Sequence, residues 1–365
     1  MKTSNFVAYA IMMALMALSL TACNQGMFVP ETPKVLVNLP EGVSMNVSII
    51  GDNEAYVYYT YATVSGNIVF EGNPDLLPND YFSNISVIFN YGTERENLSS
   101  TARGVAGDPK TEYWRITVPF KADIRDLDDG AVYYFNATVS YGSDKKETKP
   151  VKFFTLPKGP VDLDLKSGNL WASSNLGADY PHDGGAYYAW GESEAKSGQA
   201  LYDWTFYKWC NGTYTKLTKY CTNKFWGYND FVDNKTMLEL EDDAAHKALG
   251  GNWHIPSAID WTELNENCGW TGAVVNDVRG WLVRSKSNPD DNKKVIFLPC
   301  HGYYDGGSVR DDSYNGYYWT SNLAADRAYD NKAYNFYLNC YLGTHAIGYG
   351  DRCCGENIRP VLSKQ

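Results

Sequence analysis

The sequence predicts two domains, an all-β sandwich followed by an α+β domain. Its 365 residues are enough for about two domains of roughly 100–200 residues each. In the first half, apolar residues alternate with a period of two, which is typical of half-buried strands. Beyond residue 160 the composition changes, and this half holds ten of the 11 Trp and seven of the 8 Cys. The 29 Tyr, 11 Trp and 14 Phe favour a strand-rich and loop-rich protein of extracellular type.

The first 32 residues indicate export and a lipid anchor. Residues 1–22 carry a basic Lys2 and a 15-residue apolar stretch that is too short for a transmembrane helix. The sequence LTAC at residues 20–23 resembles the lipobox of bacterial lipoproteins. The resemblance implies that the signal peptide 1–22 is removed, that Cys23 carries the lipid, and that residues 23–32 are a tether. It also implies the outer membrane of a Gram-negative bacterium, with periplasmic and cell-surface orientations both open.

Residues 33–157 are predicted to form the β-sandwich. Alternating apolar residues mark three of its strands: Ile85, Val87, Phe89 and Tyr91; Trp114, Ile116, Val118 and Phe120; Tyr133, Phe135, Ala137, Val139 and Tyr141. Turn sequences such as Asp128-Asp129-Gly130 separate the strands. The region is longer than a typical sandwich domain, so we expect one long loop, around residues 72–81.

A corner motif indicates which type of β-sandwich residues 33–157 form. The sequence LDDGAVYYF at residues 127–135 resembles the corner of fibronectin type III domains. The resemblance implies an immunoglobulin- or fibronectin-like fold in which the Tyr133 hydroxyl bonds back to the backbone. This region has no Cys and no catalytic constellation, so we expect a spacer. Residues 158–160 form the linker that follows it.

Residues 161–365 resemble the Fibrobacter succinogenes major paralogous domain family. Seven blocks match in order: VDLDLKSGNLWASSNLGA at 161–178, YYAWGE at 187–192, EDDAA at 241–245, WHIPS at 253–257, FLPCHG at 297–302, YWTS at 318–321 and IRPV at 358–361. His254 and the pair Cys300-His301 depart from the usual pattern. The resemblance implies a secreted or surface domain with a fold similar to C-type lectins, and it implies no general catalytic activity.

The residues of the second half predict an α+β domain independently of that resemblance. Asp243 can cap a helix that ends at Gly250. Ser257 and Asp260 form a capping-box pattern that opens a second helix with buried Trp261, Leu264 and Cys268. Short strands are expected afterwards, at residues 295–298, 317–320, 333–338 and 358–362.

Charge and cysteine content set further limits. The net charge of −11, without a stripe of Lys and Arg, argues against a nucleic-acid partner.

Seven Cys in one exported domain predict disulfides, with at least one thiol left over. Cys210 and Cys221 would close the shortest loop, and the adjacent Cys353 and Cys354 are expected to have different partners. The spacing is not that of a zinc site.

A glycine-spaced loop at residues 302–317 is the main candidate for ligand binding. Its residues Tyr303, Tyr304, Asp305, Asp311, Asp312, Tyr314 and Tyr317 combine rings that stack on sugars with groups that orient hydroxyls. A solvent-exposed loop with ordinary tyrosines is the alternative. Trp190 and Glu192 could line a cleft, or could serve core packing.

The acidic run Glu239, Glu241, Asp242 and Asp243 has two interpretations. It could offer oxygen ligands to calcium, or it could stabilise the start of a helix. The helix interpretation is favoured, and the sequence motifs of calcium-dependent sugar binding are absent. We therefore expect no catalytic residues, no metal and no cofactor, with calcium as a weakly supported alternative.

The leading hypothesis is a lipid-anchored adhesion protein whose lectin-like domain binds a glycan or a surface protein. A structural or assembly role in a surface appendage is the first alternative. A polysaccharide-acting enzyme is the second, and it would need a pair of carboxylates that spacing alone does not show.

Overall fold

The first half of the chain forms a β-sandwich, as the alternating pattern predicts. The computed structural model describes residues 38–50, 56–197, 201–324 and 329–364. The sandwich strands are β1 (Ser44–Ile49), β2 (Tyr56–Val57), β3 (Ala62–Glu71), β4 (Ile85–Gly92), β5 (Ser100–Ala106), β6 (Lys110–Glu112), β7 (Arg115–Ile124), β8 (Val132–Tyr141), β9 (Asp144–Glu147) and β10 (Val151–Phe154).

The two layers of the sandwich are antiparallel and are joined through β5. One layer has the order β1-β3-β7, and the other has the order β5-β4-β8-β10. Strand β5 pairs with β4 and, at its end, with β7. Val87, Phe89, Val118 and Phe135 are among the inward-facing side chains that are buried between the layers. Trp114 departs from the predicted pattern, because it precedes β7 and is 64% exposed.

The corner motif has the predicted hydrogen bond. The backbone amide of Asp128 donates to the hydroxyl oxygen of Tyr133 at 2.9 Å. The same corner is held by Thr155, whose hydroxyl donates to the Asp128 carbonyl and accepts from the Ala131 amide. Residues 72–84 form the long connection between β3 and β4, close to where the sequence places it.

The second half combines two short helices with small sheets. The helices are α1 (Ala244–Leu249) and α2 (Ala258–Asn267). The strands are β11 (Pro160–Asp162), β12 (Leu170–Ala172), β13 (Trp253–His254), β14 (Cys268–Val275), β15 (Val278–Ser285), β16 (Val295–Pro299), β17 (Tyr303–Asp305), β18 (Ser308–Arg310), β19 (Asn315–Leu323), β20 (Lys332–Asn339), β21 (Thr344–Asp351) and β22 (Val361–Leu362). They pair as β11-β12-β22-β13, β14-β15-β16, β17-β18 and β19-β20-β21.

Both helices begin at the residues that the sequence predicts. The Asp243 side chain accepts from the His246 amide at 2.9 Å, and Gly250 ends α1 with a φ of 68°. Ser257 and Asp260 form a complete capping box at the start of α2. Trp261 of α2 is fully buried, and its ring stacks on Phe336 of β20 with centroids 4.6 Å apart. Helix α2 therefore packs directly against the β19-β20-β21 sheet.

The sandwich and the second half share one hydrophobic core. Val275, Leu282, Val295 and Phe297 of the β14-β15-β16 sheet belong to the same buried cluster as the sandwich residues. Asn276, in the turn between β14 and β15, accepts from the Val57 amide at 2.7 Å and donates to the Val57 carbonyl at 3.0 Å. The two halves are thus packed against each other, and the short connection at 158–160 is not their only link.

The expected signal peptide 1–22, the lipidated Cys23 and the tether 23–32 fall outside the described residues. Within the described ranges, no helix has the length and apolar character needed to cross a membrane.

Candidate functional site

Three tyrosine rings form a half-exposed row beside the β19-β20-β21 sheet. Tyr317 of β19 lies directly opposite Tyr337 of β20, and their ring centroids are 5.2 Å apart. Tyr303 of β17 adds a third ring, 4.8 Å from that of Tyr317. All three side chains keep part of their surface open to solvent. Tyr303, Tyr317 and Tyr337 are called the tyrosine row below.

Polar side chains border the tyrosine row and bond to it. The Tyr317 hydroxyl donates to Asp311 Oδ2 at 2.8 Å, and Asn315 Nδ2 donates to the same oxygen at 3.1 Å. The Tyr337 hydroxyl donates to Asn315 Oδ1 at 3.2 Å and accepts from Asn339 Nδ2 at 2.8 Å. Burial, and then the carboxylate of Asp311, raise the pKa of Tyr317. The Tyr317 hydroxyl therefore keeps its proton, and hydrogen bonds fix the direction of the Tyr317 and Tyr337 hydroxyls.

A disulfide fixes the loop that carries this site. Cys300, just after β16, is bonded to Cys340, just after β20. Backbone hydrogen bonds run beside it, from the Ser313 amide to the Cys300 carbonyl and from the Cys340 amide to the Tyr314 carbonyl. Both ends of the 302–317 loop are thus held to the sheet that carries Tyr337.

The cysteine pairing differs from the sequence-based expectation. Cys210, Cys221, Cys268, Cys353 and Cys354 are free thiols. Cys210 and Cys221, the pair that would close the shortest loop, are not bonded to each other; the Cys210 thiol donates to the Trp204 carbonyl and the Cys221 thiol to the Asn223 carbonyl. Burial raises the pKa of Cys221 to about 11, which leaves this thiol unreactive at neutral pH.

Removing the disulfide by the double change Cys300→Ser and Cys340→Ser is expected to cost about 3–4 kcal/mol of unfolding free energy, because the bond closes a loop of 40 residues. Urea denaturation of both proteins measures this difference. The change Cys268→Ser is the control, since this free thiol has no disulfide to lose. Equal midpoints for the double variant and the wild type would contradict a structural role for the bond.

The other loop residues predicted for the site lie apart from the tyrosine row. Tyr304 points to the opposite side of β17 and packs against Tyr187 and Tyr202, with centroids 4.8 and 5.3 Å away. Asp305 lies 3.7 Å from Arg310, and Asp312 lies 3.5 Å from His301. Tyr314 is 57% exposed. Of the seven predicted loop residues, the structure brings together Tyr303, Asp311 and Tyr317.

Trp190 and Glu192 lie in the interior. Trp190 is 1% exposed, and its indole donates to the Thr320 carbonyl at 2.8 Å. Glu192 is 7% exposed and accepts from Lys196 Nζ at 2.7 Å and from the Lys208 amide at 2.8 Å. These contacts favour the packing interpretation over a cleft, and they place both residues away from the tyrosine row.

Three carboxylates of the acidic run form ion pairs with the ammonium group of Lys219. Among the described residues, Glu239, Glu241 and Asp242 form the one group of three carboxylates close enough to bind a metal ion. Lys219 Nζ lies between them, at 2.7, 2.8 and 2.6 Å from their oxygens. Burial lowers the pKa of Lys219, but the hydrogen bonds that its ammonium group donates to these carboxylates outweigh burial and raise the pKa above its usual value. The ammonium group therefore supplies the positive charge that calcium would bring.

A buried carboxyl group, that of Glu356, contacts β20, the strand that carries Tyr337 of the tyrosine row. Glu356 is 2% exposed; one oxygen accepts from Asn335 Nδ2 at 2.8 Å, and the other has no partner among the described residues. Burial raises the pKa of Glu356 to about 8. The group is therefore largely protonated at neutral pH.

This pKa predicts a pH effect on stability. Between about pH 4.5 and 8 the folded state keeps a proton on Glu356 that the unfolded state loses, so stability falls as pH rises through this window. Glu356→Gln should remove that loss and stabilise the protein by about 1–2 kcal/mol at pH 8, since the new amide must find its own partner. Denaturation at pH 5 and pH 8 measures the effect; an equal pH dependence in the variant and the wild type would contradict it.

Sequence reasoning missed Tyr337, Asn339 and Asn315. Tyr337 and Asn339 are spaced by two on β20 and point to the same face, beside Asn335. The alternation of polar or aromatic residues with apolar ones along residues 335–339 is the signal that could have found them.

Comparisons with known proteins add little to this description. No family model and no curated protein matches the chain. One solved structure that matches is an uncharacterised protein from Listeria monocytogenes EGD-e in complex with α-D-glucose, β-D-glucose, magnesium and calcium, at a TM-score of 0.24 and 8% identity. The match covers 88% of this chain and 32% of the Listeria chain, so the present chain spans about a third of that protein's length. A likeness this weak carries no argument about fold or function.

Proposed function

We propose that this chain is a lipid-anchored binding or adhesion protein of the Gram-negative cell envelope, and that its second half is a lectin-like domain that binds a glycan or a surface protein. The tyrosine row is the observation that carries the proposal. Its three half-exposed rings offer apolar faces for sugar rings, while Asp311, Asn315 and Asn339 offer hydrogen-bonding groups at their edge.

The anchoring of the site supports a binding role. The Cys300–Cys340 bond and the hydrogen bonds between the tyrosine hydroxyls and their neighbours hold the rings before any ligand arrives. Less conformational entropy is then lost on binding. The seven sequence blocks in residues 161–365 support the lectin-like assignment, and the sequence LTAC at residues 20–23 supports the lipid anchor.

A glycan array probed with the soluble chain 24–365 tests the proposal. We expect binding to a defined set of glycans, about fivefold or more weaker for Tyr337→Ala, because a stacked ring contributes on the order of 1 kcal/mol or more. Binding should survive EDTA, since the row holds no cluster of carboxylates among the described residues. Tyr349→Ala is the matched control, because Tyr349 is 49% exposed and points to the other face of the same sheet.

Two results would contradict the proposal. One is that Tyr337→Ala leaves the binding of every glycan on the array unchanged, which would place the site elsewhere. The other is the absence of binding to any glycan together with the absence of binding to cell-surface proteins. Release of reducing sugar from a bound polysaccharide would favour the enzyme alternative instead.

A further inference from the structure

We infer that the loops between residues 204 and 226 form a second carbohydrate-binding surface, separate from the tyrosine row, for a polysaccharide that contains uronic acids. Four rings follow one another there. The centroids of Trp204 and Tyr214 are 6.2 Å apart, those of Tyr214 and Trp226 are 5.9 Å apart, and those of Trp226 and Phe225 are 5.0 Å apart. Trp204, Tyr214, Trp226 and Phe225 are called the aromatic strip below.

Two of the four rings of the aromatic strip are exposed, and the other two are partly buried. Tyr214 is 45% and Phe225 is 68% exposed. The backbone amide of Leu217 donates to the Trp226 carbonyl at 2.8 Å, so the two loops that carry these rings are bonded to each other. Large rings that remain exposed on a fixed scaffold mark an interaction surface more often than packing.

The charge around the aromatic strip is opposite to that of the whole chain. Between Asp203 and Asp230 the sequence contains four Lys and no acidic residue, although the net charge of the chain is −11. Lys219 is neutralised by three carboxylates, and Lys208 lies 3.9 Å from Asp242.

Two lysines therefore remain available to a ligand. Lys216 and Lys224 are exposed, and neither forms an ion pair with a carboxylate of the described residues. Lys224 directly precedes Phe225 in the chain, and Lys216 follows Tyr214 by two residues. Positive charge and exposed rings thus occur in the same two loops.

This combination favours an acidic glycan as the occupant. The neighbouring rings are inclined to one another by 60°, 51° and 89°, so they do not form one flat stacking surface. The two available lysines can form ion pairs with a polymer that carries about one carboxylate on each sugar. A densely sulfated polymer would be repelled by the acidic remainder of the chain.

Isothermal titration of the chain 24–365 with polygalacturonate tests this inference, with dextran as the neutral polymer and dextran sulfate as the densely sulfated one. We expect polygalacturonate to bind, with affinity that falls as salt rises, because the lysine contacts are exposed. The double change Tyr214→Ala and Phe225→Ala should weaken binding about tenfold or more. The double change Lys216→Gln and Lys224→Gln should weaken it and remove most of the salt dependence.

Two control variants show whether binding depends on the aromatic strip or on another part of the molecule. Tyr113→Ala removes a ring that is 95% exposed on the sandwich and should leave binding unchanged. Tyr337→Ala should also leave it unchanged, so that failure here and failure of the tyrosine row are distinguishable. Because the four substituted side chains are exposed, the thermal unfolding curves of both double variants should match the wild type. Undiminished binding by the ring variant, equal binding of dextran, or binding of dextran sulfate alone would overturn the inference.

Discussion

Replacing Arg352 by Met is expected to lower the free energy of unfolding by about 3–5 kcal/mol. The Arg352 side chain is 0% exposed, and no carboxylate is among its described partners. Its guanidinium donates to the Tyr207 hydroxyl at 2.9 Å and to three backbone carbonyls, those of Tyr220 at 3.1 Å, Asp330 at 2.8 Å and Lys219 at 3.0 Å. Met would fill much of the space, but it would leave these buried acceptors without donors.

Urea denaturation of Arg352→Met measures the loss, and two variants sharpen the result. Arg310→Met should change stability by less than about 0.5 kcal/mol, because Arg310 is 56% exposed. Arg352→Lys keeps the positive charge but cannot reach the same set of acceptors, so it should lie between the wild type and Arg352→Met. A loss below about 1 kcal/mol for Arg352→Met would show that water satisfies the freed carbonyls.

Phe297→Ala is expected to lower the free energy of unfolding by about 3–5 kcal/mol and to shift the unfolding of both halves together. Phe297 is 0% exposed on β16, and it packs in the cluster that forms the sandwich core. Its loss leaves a cavity between the halves. The Phe297 carbonyl keeps its hydrogen bond from Arg359 Nη2, so the effect comes from the ring.

Two spectroscopic signals follow the two halves. Tryptophan fluorescence reports almost entirely on the second half, which holds ten of the 11 Trp, while far-UV circular dichroism reports on both. For a shared core the two unfolding curves should coincide in the wild type and should move together in Phe297→Ala. Separate transitions, with only the fluorescence curve shifted, would show that the halves unfold independently.

The parts of the fold that depend on neighbouring residues could be predicted from the sequence. The Tyr133 corner, the Asp243 cap and the Ser257–Asp260 capping box each involve residues at most five apart. The strand alternation fixed which sandwich residues are buried. It did not place Trp114 correctly, because the left-handed backbone of Tyr113, with a φ of 51°, interrupts the pattern just before β7.

The site was predictable only in part, since it joins distant segments. The composition of the 302–317 loop pointed to Tyr303, Asp311 and Tyr317, but Tyr337 comes from another strand. Because successive side chains along β17 point to opposite faces, Tyr304 points away from the tyrosine row. The lysine among the acidic residues, Lys219, lies about 20 residues before them, and nothing local in the sequence indicates that contact.

We propose that the ligand binds at the tyrosine row. A crystal structure of the chain 24–365, soaked with the tightest-binding neutral oligosaccharide from the array, shows whether it does. We expect a sugar ring stacked on Tyr317 or Tyr337, with hydroxyl groups bonded to Asp311, Asn315 or Asn339. Density for the same oligosaccharide at another surface, with the tyrosine row empty, would contradict the account.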